Sequence, residues 1–183
     1  LTARKGIVLR YNDMPSTHFW HREAPMDDRT DPTRPAQSGA RYDRDLYTWA
    51  VEQAALLRAG KIAEADALNI AEELDDVGNE QYDKLESALR IILLHLLKWD
   101  HQPERRSRSW QASIKVQRNH VRKVLRKNPG LKPLVEEAVR EAYADARLEA
   151  AGEIDRDESA FPEQCPYPMG EVMERPIDWP PKD

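Results

Sequence analysis

The sequence predicts an all-α fold: a four-helix bundle-like single domain with one long central helix, a disordered N-terminal tail and an irregular C-terminal strap. Three observations carry this. Glycine is scarce, at 7 of 183 residues, and β-branched runs are short, which disfavours sheet. Ten of the 13 prolines gather in the first 35 residues and the last 25, and the nearly proline-free middle is where helices can run uninterrupted. Within that middle, apolar residues recur every three or four positions, the spacing of one helical face.

Hydrophobic residues make up 40% of the chain and charged residues 33%, the balance of a globule with heavily charged outer helix faces. The length allows one domain with a real core. Residues 1–41 show no period and hold Pro15, Pro25, Pro32 and Pro35, so they read as a disordered extension. The chain opens with Leu1, with Met14 and Met26 following, so this extension is expected to be sequence upstream of the natural start. Mass spectrometry of natively expressed protein beginning at Leu1 or earlier would refute that. The helical domain is expected over residues 42–175 and a C-terminal tail over 176–183.

The first helix is expected to be capped by Asp43, to carry Leu46, Trp49, Ala50, Gln53 and Leu57 at helical spacing, and to stop at Gly60. A second, capped by Asp66, carries Ile70, Leu74, Val77, Gln81, Leu85, Ala88, Ile92, His95 and Trp99 on one stripe. That stripe crosses Gly78 without losing phase, which predicts one helix from about Asp66 to Asp100. Beyond Leu89 apolar residues wrap most of the circumference, placing this half at the centre of the bundle. Pro103 ends it. A third helix begins near Ser107 or Ser109 with Trp110, Ile114, Gln117, Val121 and Leu125 facing inward, and Asn128, Pro129 and Gly130 break it. Pro133 suits the first turn of a fourth, whose small edge of Ala138, Ala142, Ala146 and Ala150, led by Leu134, permits close helix approach. After Gly152 the chain turns irregular, with at most a short helix near Met169 to Glu174, and its aromatics are expected to strap it across the bundle.

The net charge of −5 hides a division along the chain. Residues 61–97 carry 3 Lys/Arg against 9 Asp/Glu, residues 98–132 carry 11 against 2, and residues 133–183 carry 5 against 14. Either the basic strip pairs with the acidic helices inside the bundle, or it forms an exposed face for an anionic partner. The run Glu72, Glu73, Asp75, Asp76 and Glu80 reads first as a solvated or ion-paired face.

The stretch from His95 to Arg118 is the richest in polar chemistry. His95, Lys98, Trp99 and Gln102 share a helical face, Arg106, Ser107 and Trp110 follow across a short connection, and Gln117 and Arg118 lie on the next helix. These are the candidate binding residues. Tryptophans beside several cations could stack planar groups and neutralise phosphates; the alternative is that Trp99 and Trp110 anchor the core while the arginines pair with Glu72, Glu73, Asp75 or Asp76. Arg90 and His95, in an Arg-x-x-x-x-His arrangement, form a speculative catalytic pair. It resembles the metal-independent ribonucleases of the higher-eukaryote-and-prokaryote nucleotide-binding superfamily, where Arg would stabilise phosphate charge and His would move protons. Ile91 departs from that pattern, standing where a polar residue is usual.

Other chemistries find little support. No Glu-x-x-His exists for a di-metal bundle, no Gly-rich phosphate loop is present, and no metal or cofactor is expected. Cys165 is the one cysteine, so an intramolecular disulfide is excluded, and its Pro-flanked setting suggests packing. The longest apolar run, Ile91 to Leu97, is interrupted by His95 and is far short of the roughly 20 residues that span a bilayer. With no secretory apolar core near its start, the chain is expected to be soluble and cytoplasmic.

Several blocks follow in order over about residues 42 to 175: Tyr42, Asp43, Asp45, Tyr47 and Trp49; Asn69 to Leu74 with Gly78; His95 to Trp99; Gln102, Pro103, Arg106, Ser107 and Trp110; Asn128 to Leu131; Tyr143 and Ala146; and Phe161, Pro162, Cys165 and Pro166. In these blocks the chain resembles the bacterial family filed as domain of unknown function 29. The resemblance implies a helical domain filling that region and carries no activity with it. The expected function is a non-enzymatic helical binding or interaction module with a protein partner or a second copy of itself. Nucleic-acid binding through the basic third helix, extending to ribonuclease activity, is the alternative.

Overall fold

The computed structural model describes residues 41–179; the disordered extension expected over 1–41 therefore falls almost wholly outside the described residues. Among these, the chain is helical and has no strand. The helices are α1 (Leu46–Arg58), α2 (Ala67–His101), α3 (Arg108–Lys127), α4 (Val135–Ile154) and the short α5 (Met169–Glu174), with short 3-10 segments between them. Among the described residues, two compact units are divided between Glu72 and Glu73.

In the first unit, α1 is capped by Asp45, whose carboxylate accepts from the Thr48 N–H at 3.0 Å; the expected cap, Asp43, lies two residues too early. Gly60 ends the turn after α1 with a φ of 71°, a left-handed backbone that glycine adopts without strain. Only Trp49 and Gln53 of α1 are buried, and Leu46 and Leu57 stand exposed. The buried Asp66 ties this unit together. Its carboxylate accepts from the Asn69 amide at 2.7 Å and the Trp49 indole at 3.4 Å, while its backbone N–H donates to Gln53 Oε1 at 2.9 Å.

The second unit is built on α2, which runs unbroken through Gly78 to His101, within one residue of the sequence expectation at each end. At 1.5 Å per residue it is about 50 Å long, against about 30 Å for α3 and α4. Contacts fix the directions. Trp110 at the start of α3 lies by His95, and Asn128 at its end donates to Gln81 Oε1 at 3.4 Å, so α3 runs antiparallel to α2. Tyr82 donates to Glu141 at 2.7 Å and Arg90 pairs with Glu149, so α4 runs parallel to α2. The core fills the space between: Leu85, Leu89, Ile92, Leu93, Leu96 and Leu97 of α2 are fully buried against Ile114 and Val121 of α3 and the alanine edge of α4. Each such side chain contributes about 1.5–3 kcal/mol by leaving water.

Two expectations about burial need correction. The outer part of the α2 stripe is not buried, since Leu74 is 65% and Val77 58% exposed. The reason is length: α3 ends at the level of Gln81, one turn short of Val77 and two short of Leu74. The inward face of α3 is also turned slightly from the one expected, because Arg118, not Gln117, is the buried residue beside Ile114 and Val121.

The C-terminal strap is present. Phe161, Tyr167, Val172 and Met173 are buried in the core, and so is Ile177, which lies in the expected C-terminal tail, whose last four residues fall outside the described residues. Polar contacts fasten the strap at both ends. Tyr143 donates to the Pro162 carbonyl at 2.7 Å and Gln111 to the Ile177 carbonyl at 2.5 Å. Asp100 accepts from Tyr167 at 2.8 Å and from both terminal nitrogens of Arg175 at 2.6 and 2.8 Å. Burial would raise the Asp100 carboxyl, but these donors outweigh it and hold the group below the usual carboxylate range. No helix among the described residues is long and apolar enough to cross a membrane.

Candidate functional site

The polar block from His95 to Arg118 separates in space into groups with different work. His95, Lys98 and Trp110 come together where α2 and α3 meet. The His95 and Trp110 rings lie 6.3 Å apart, and the Lys98 ammonium sits 4.6 Å above the Trp110 ring while pairing with Glu153 of α4. Lys98 is itself buried. His95 is half-buried and its Nδ1 is buried with no hydrogen-bond partner. Burial, and then the Lys98 charge, hold the imidazole below its ordinary range, with Glu153 opposing.

Trp99, Gln102, Arg106 and Ser107 serve the turn between α2 and α3. Arg106 donates to the Trp99 carbonyl at 2.8 Å, and its guanidinium lies 5.3 Å from the centre of the buried Trp99 ring. The arginine thus closes the C-terminal end of α2, where carbonyls are left without helical partners. Gln102 is buried in the same corner. Ser107 is the N-cap of α3, accepting from the Trp110 N–H at 3.4 Å.

Arg118 is a structural clamp. It is 8% exposed and donates to three carbonyls of the strap: Val172 and Arg175 at 2.8 Å each and Glu171 at 3.1 Å. These lie in the last turn of α5 and just beyond it, where a planar five-donor group can satisfy several free acceptors at once. Gln117, one residue away, faces instead a shallow groove of about 320 Å³ lined by Glu80, Asp83, Lys84, Ser87, Ala88, Ile91 and His120. Neither arginine pairs with Glu72, Glu73, Asp75 or Asp76 as the packing alternative required; both spend their donors mainly on backbone carbonyls.

Arg90 belongs to a different feature, a polar seam between α2 and α4. Because the helices run parallel, residues 59 apart in number face each other: Tyr82 with Glu141, and Arg90 with Glu149, each pair two turns from the next. Between them, Glu86 stands against the Asp145 charge. Glu86 Oε1 is buried with no hydrogen-bond partner, and burial followed by Asp145 raises its carboxyl, with Glu141 and Asp83 adding and Arg90 opposing. The Arg90 guanidinium is held by Glu149 while the His95 ring lies against Trp110, so each member of the speculative catalytic pair has its own partner on another helix.

Sequence reasoning missed the residues that answer these groups: Glu141, Glu149 and Glu153 on α4, and Asp100, Tyr167 and Arg175 at the strap. The first three were legible as an i, i+8, i+12 acidic stripe, but only the parallel pairing of α2 and α4 gives them partners. Among the described residues no cluster of three His, Cys, Asp or Glu side chains is arranged to hold a metal ion.

The outward face of α3 is the remaining part of the basic strip. Arg108, Lys115, Lys123, Arg126 and Lys127 are exposed, and among the described residues they make no ion pair; Arg122 beside them pairs with Glu174 at 2.9 Å. At 100° per residue, Arg108, Lys115, Arg122 and Arg126 form one stripe about 115° round the helix from the buried Ile114 and Val121, about 27 Å from end to end.

No curated protein and no solved structure matches the chain. A family model described as Domain of unknown function DUF29 matches residues 41–177, which takes in all five helices and the strap as far as the buried Ile177. That match covers well over half of the sequence, and the chain belongs to the DUF29 family.

Proposed function

We propose that this protein is a non-enzymatic helical interaction module whose binding surface is the outward cationic face of α3. The observation that carries this reading is the division of labour within the basic strip. Lys98, Arg106, Arg118 and Arg122 have internal partners, whereas Arg108, Lys115, Lys123, Arg126 and Lys127 stand exposed without an ion pair among the described residues. An array of like charges with no internal use costs the fold self-repulsion and favours an anionic surface outside it. The chain's single cysteine, half-buried and with its thiol pushed up by burial, supports a cytoplasmic setting in which no disulfide is called for.

Nucleic-acid binding through α3 is favoured by the same stripe, since a line of cations suits a phosphate backbone. The tryptophans support the protein partner instead. Trp99 is buried beneath Arg106, and Trp110 sits against His95 and Lys98 on the inward side of α3, so neither ring joins the outer cations as a stacking platform.

One comparison tests both. The full chain and its Lys115→Glu/Lys123→Glu/Arg126→Glu variant are used as bait in native pull-downs, with parallel titration of single- and double-stranded oligonucleotides at several salt concentrations. A protein captured by the wild type and lost by the variant is the expected result. Oligonucleotide binding that falls steeply with salt and vanishes in the variant would favour the nucleic-acid reading, and identical behaviour of both baits would overturn the surface assignment.

A further inference from the structure

Deepening that reading, we propose that the anionic partner of the α3 face is a second copy of this chain, docking through the exposed outer end of its α2. The two surfaces fit in charge and in apolar content. On α2, Leu74 and Val77 continue the stripe that further along is core, yet they stand exposed beyond the end of α3, with exposed Asp75, Asp76 and Glu80 around them. Asp75 and Asp76 make no ion pair among the described residues, and Glu80 pairs only with Lys84 one turn away. On α3 the cationic face holds Val116, 61% exposed and lying between Lys123 and Lys127 by helical angle.

An apolar pair on an acidic helix end of one copy thus meets an apolar residue on the cationic face of the other. The apolar groups supply the burial and the charges supply the register and the encounter rate. Stripe-on-stripe pairing of two α2 ends would bring Asp75, Asp76 and Glu80 of both copies together, and that like-charge contact disfavours it. Each copy carries both surfaces, so two copies that exchange them reciprocally close as a dimer.

Sedimentation velocity of the full chain over a range of concentrations, at low and high salt, reads this directly. The wild type is expected to dimerise, and to do so about tenfold or more weakly in high salt. Either Leu74→Glu/Val77→Glu or Lys115→Glu/Lys123→Glu/Arg126→Glu should give monomers with unchanged circular dichroism and melting. An equimolar mixture of the α3 variant with Asp75→Lys/Asp76→Lys/Glu80→Lys should restore a dimer that neither forms alone. A wild type that stays monomeric, an open series of larger assemblies, or a dimer that the α3 reversal leaves intact would overturn the inference. The pull-down keeps the two readings apart: a monomeric wild type whose α3 variant still loses an acidic partner sinks this inference and leaves the module reading standing.

Discussion

Two cations on α3, Arg118 and Lys123, lie five residues apart and do opposite things. Arg118 points into the molecule, is almost fully buried and gives its hydrogen bonds to three strap carbonyls. Lys123 points outward, is exposed and has no ion pair among the described residues. Residue type and neighbourhood in sequence are nearly the same for both. What separates them is 140° of helical rotation, which decides whether a charge meets the free carbonyls at the end of α5 or meets water. A charged helix is therefore not one feature: its inward charges are part of the fold, and its outward charges are free for something else.

The contrast breaks most visibly at Arg118. Arg118→Met keeps much of the apolar stem and removes the donors, leaving the Val172 and Arg175 carbonyls without their partner while the Glu171 carbonyl keeps the Arg175 N–H. Destabilisation of about 2–4 kcal/mol is expected, within the range for a buried charge-assisted network. Chemical denaturation checks the magnitude, and faster proteolysis between α4 and α5 would locate the loss at the strap. A change below about 0.5 kcal/mol, the ordinary scale of surface substitutions, would mean that the apolar contacts of Tyr167, Val172 and Ile177 hold the strap alone.

A smaller effect comes from a third kind of charge, drawn inward but unanswered. Glu86 lies in the α2–α4 seam with Asp145, Glu141 and Asp83 on one side of the balance and only Arg90 on the other. Its folded carboxyl is raised above the ordinary 4.5 by burial first and Asp145 second. A raised carboxyl favours the protonated folded state, so its stabilising contribution is complete below pH 4.5 and is lost as pH climbs through the raised value. Glu86→Gln should therefore stabilise the protein at neutral pH and lose that advantage as the solution is acidified. Thermal melts of both proteins across this pH range test the sign, and an advantage that grew on acidification would refute it.

The fold was legible because its signals are local. Helical spacing, Pro103, the Asn128-Pro129-Gly130 break and the phase kept through Gly78 set α2, α3 and α4, and even α5 fell where it was expected. Burial was less legible where it depends on the lengths of neighbours. Leu74 and Val77 carry the right spacing to be core, and nothing in their own segment says that α3 ends at the level of Gln81. The candidate site was legible as a set and not as a division. His95, Lys98 and Trp110 do meet, but Arg106 and Arg118 turned out to serve carbonyls of the turn and the strap. A backbone acceptor leaves no trace in side-chain composition, so pairing arginines with nearby acids was the natural sequence-level expectation and was wrong for both.

Lys123 gives the smallest effect and the sharpest one for function. As an outward charge with no internal partner, its replacement by glutamate should move stability by less than about 0.5 kcal/mol. Relief of repulsion from Lys115, Arg126 and Lys127 sets the sign as slightly stabilising, and this gain should shrink as salt is added, because exposed charges are screened over about 10 Å at 0.1 M. Denaturation curves at low and high salt measure both parts. A loss above 1 kcal/mol would show that Lys123 is bound into the fold as Arg118 is, and the outward face of α3 would then be structure rather than surface. A neutral or slightly positive change leaves the charge with no role inside the molecule, which is the condition any use of that face by a partner requires.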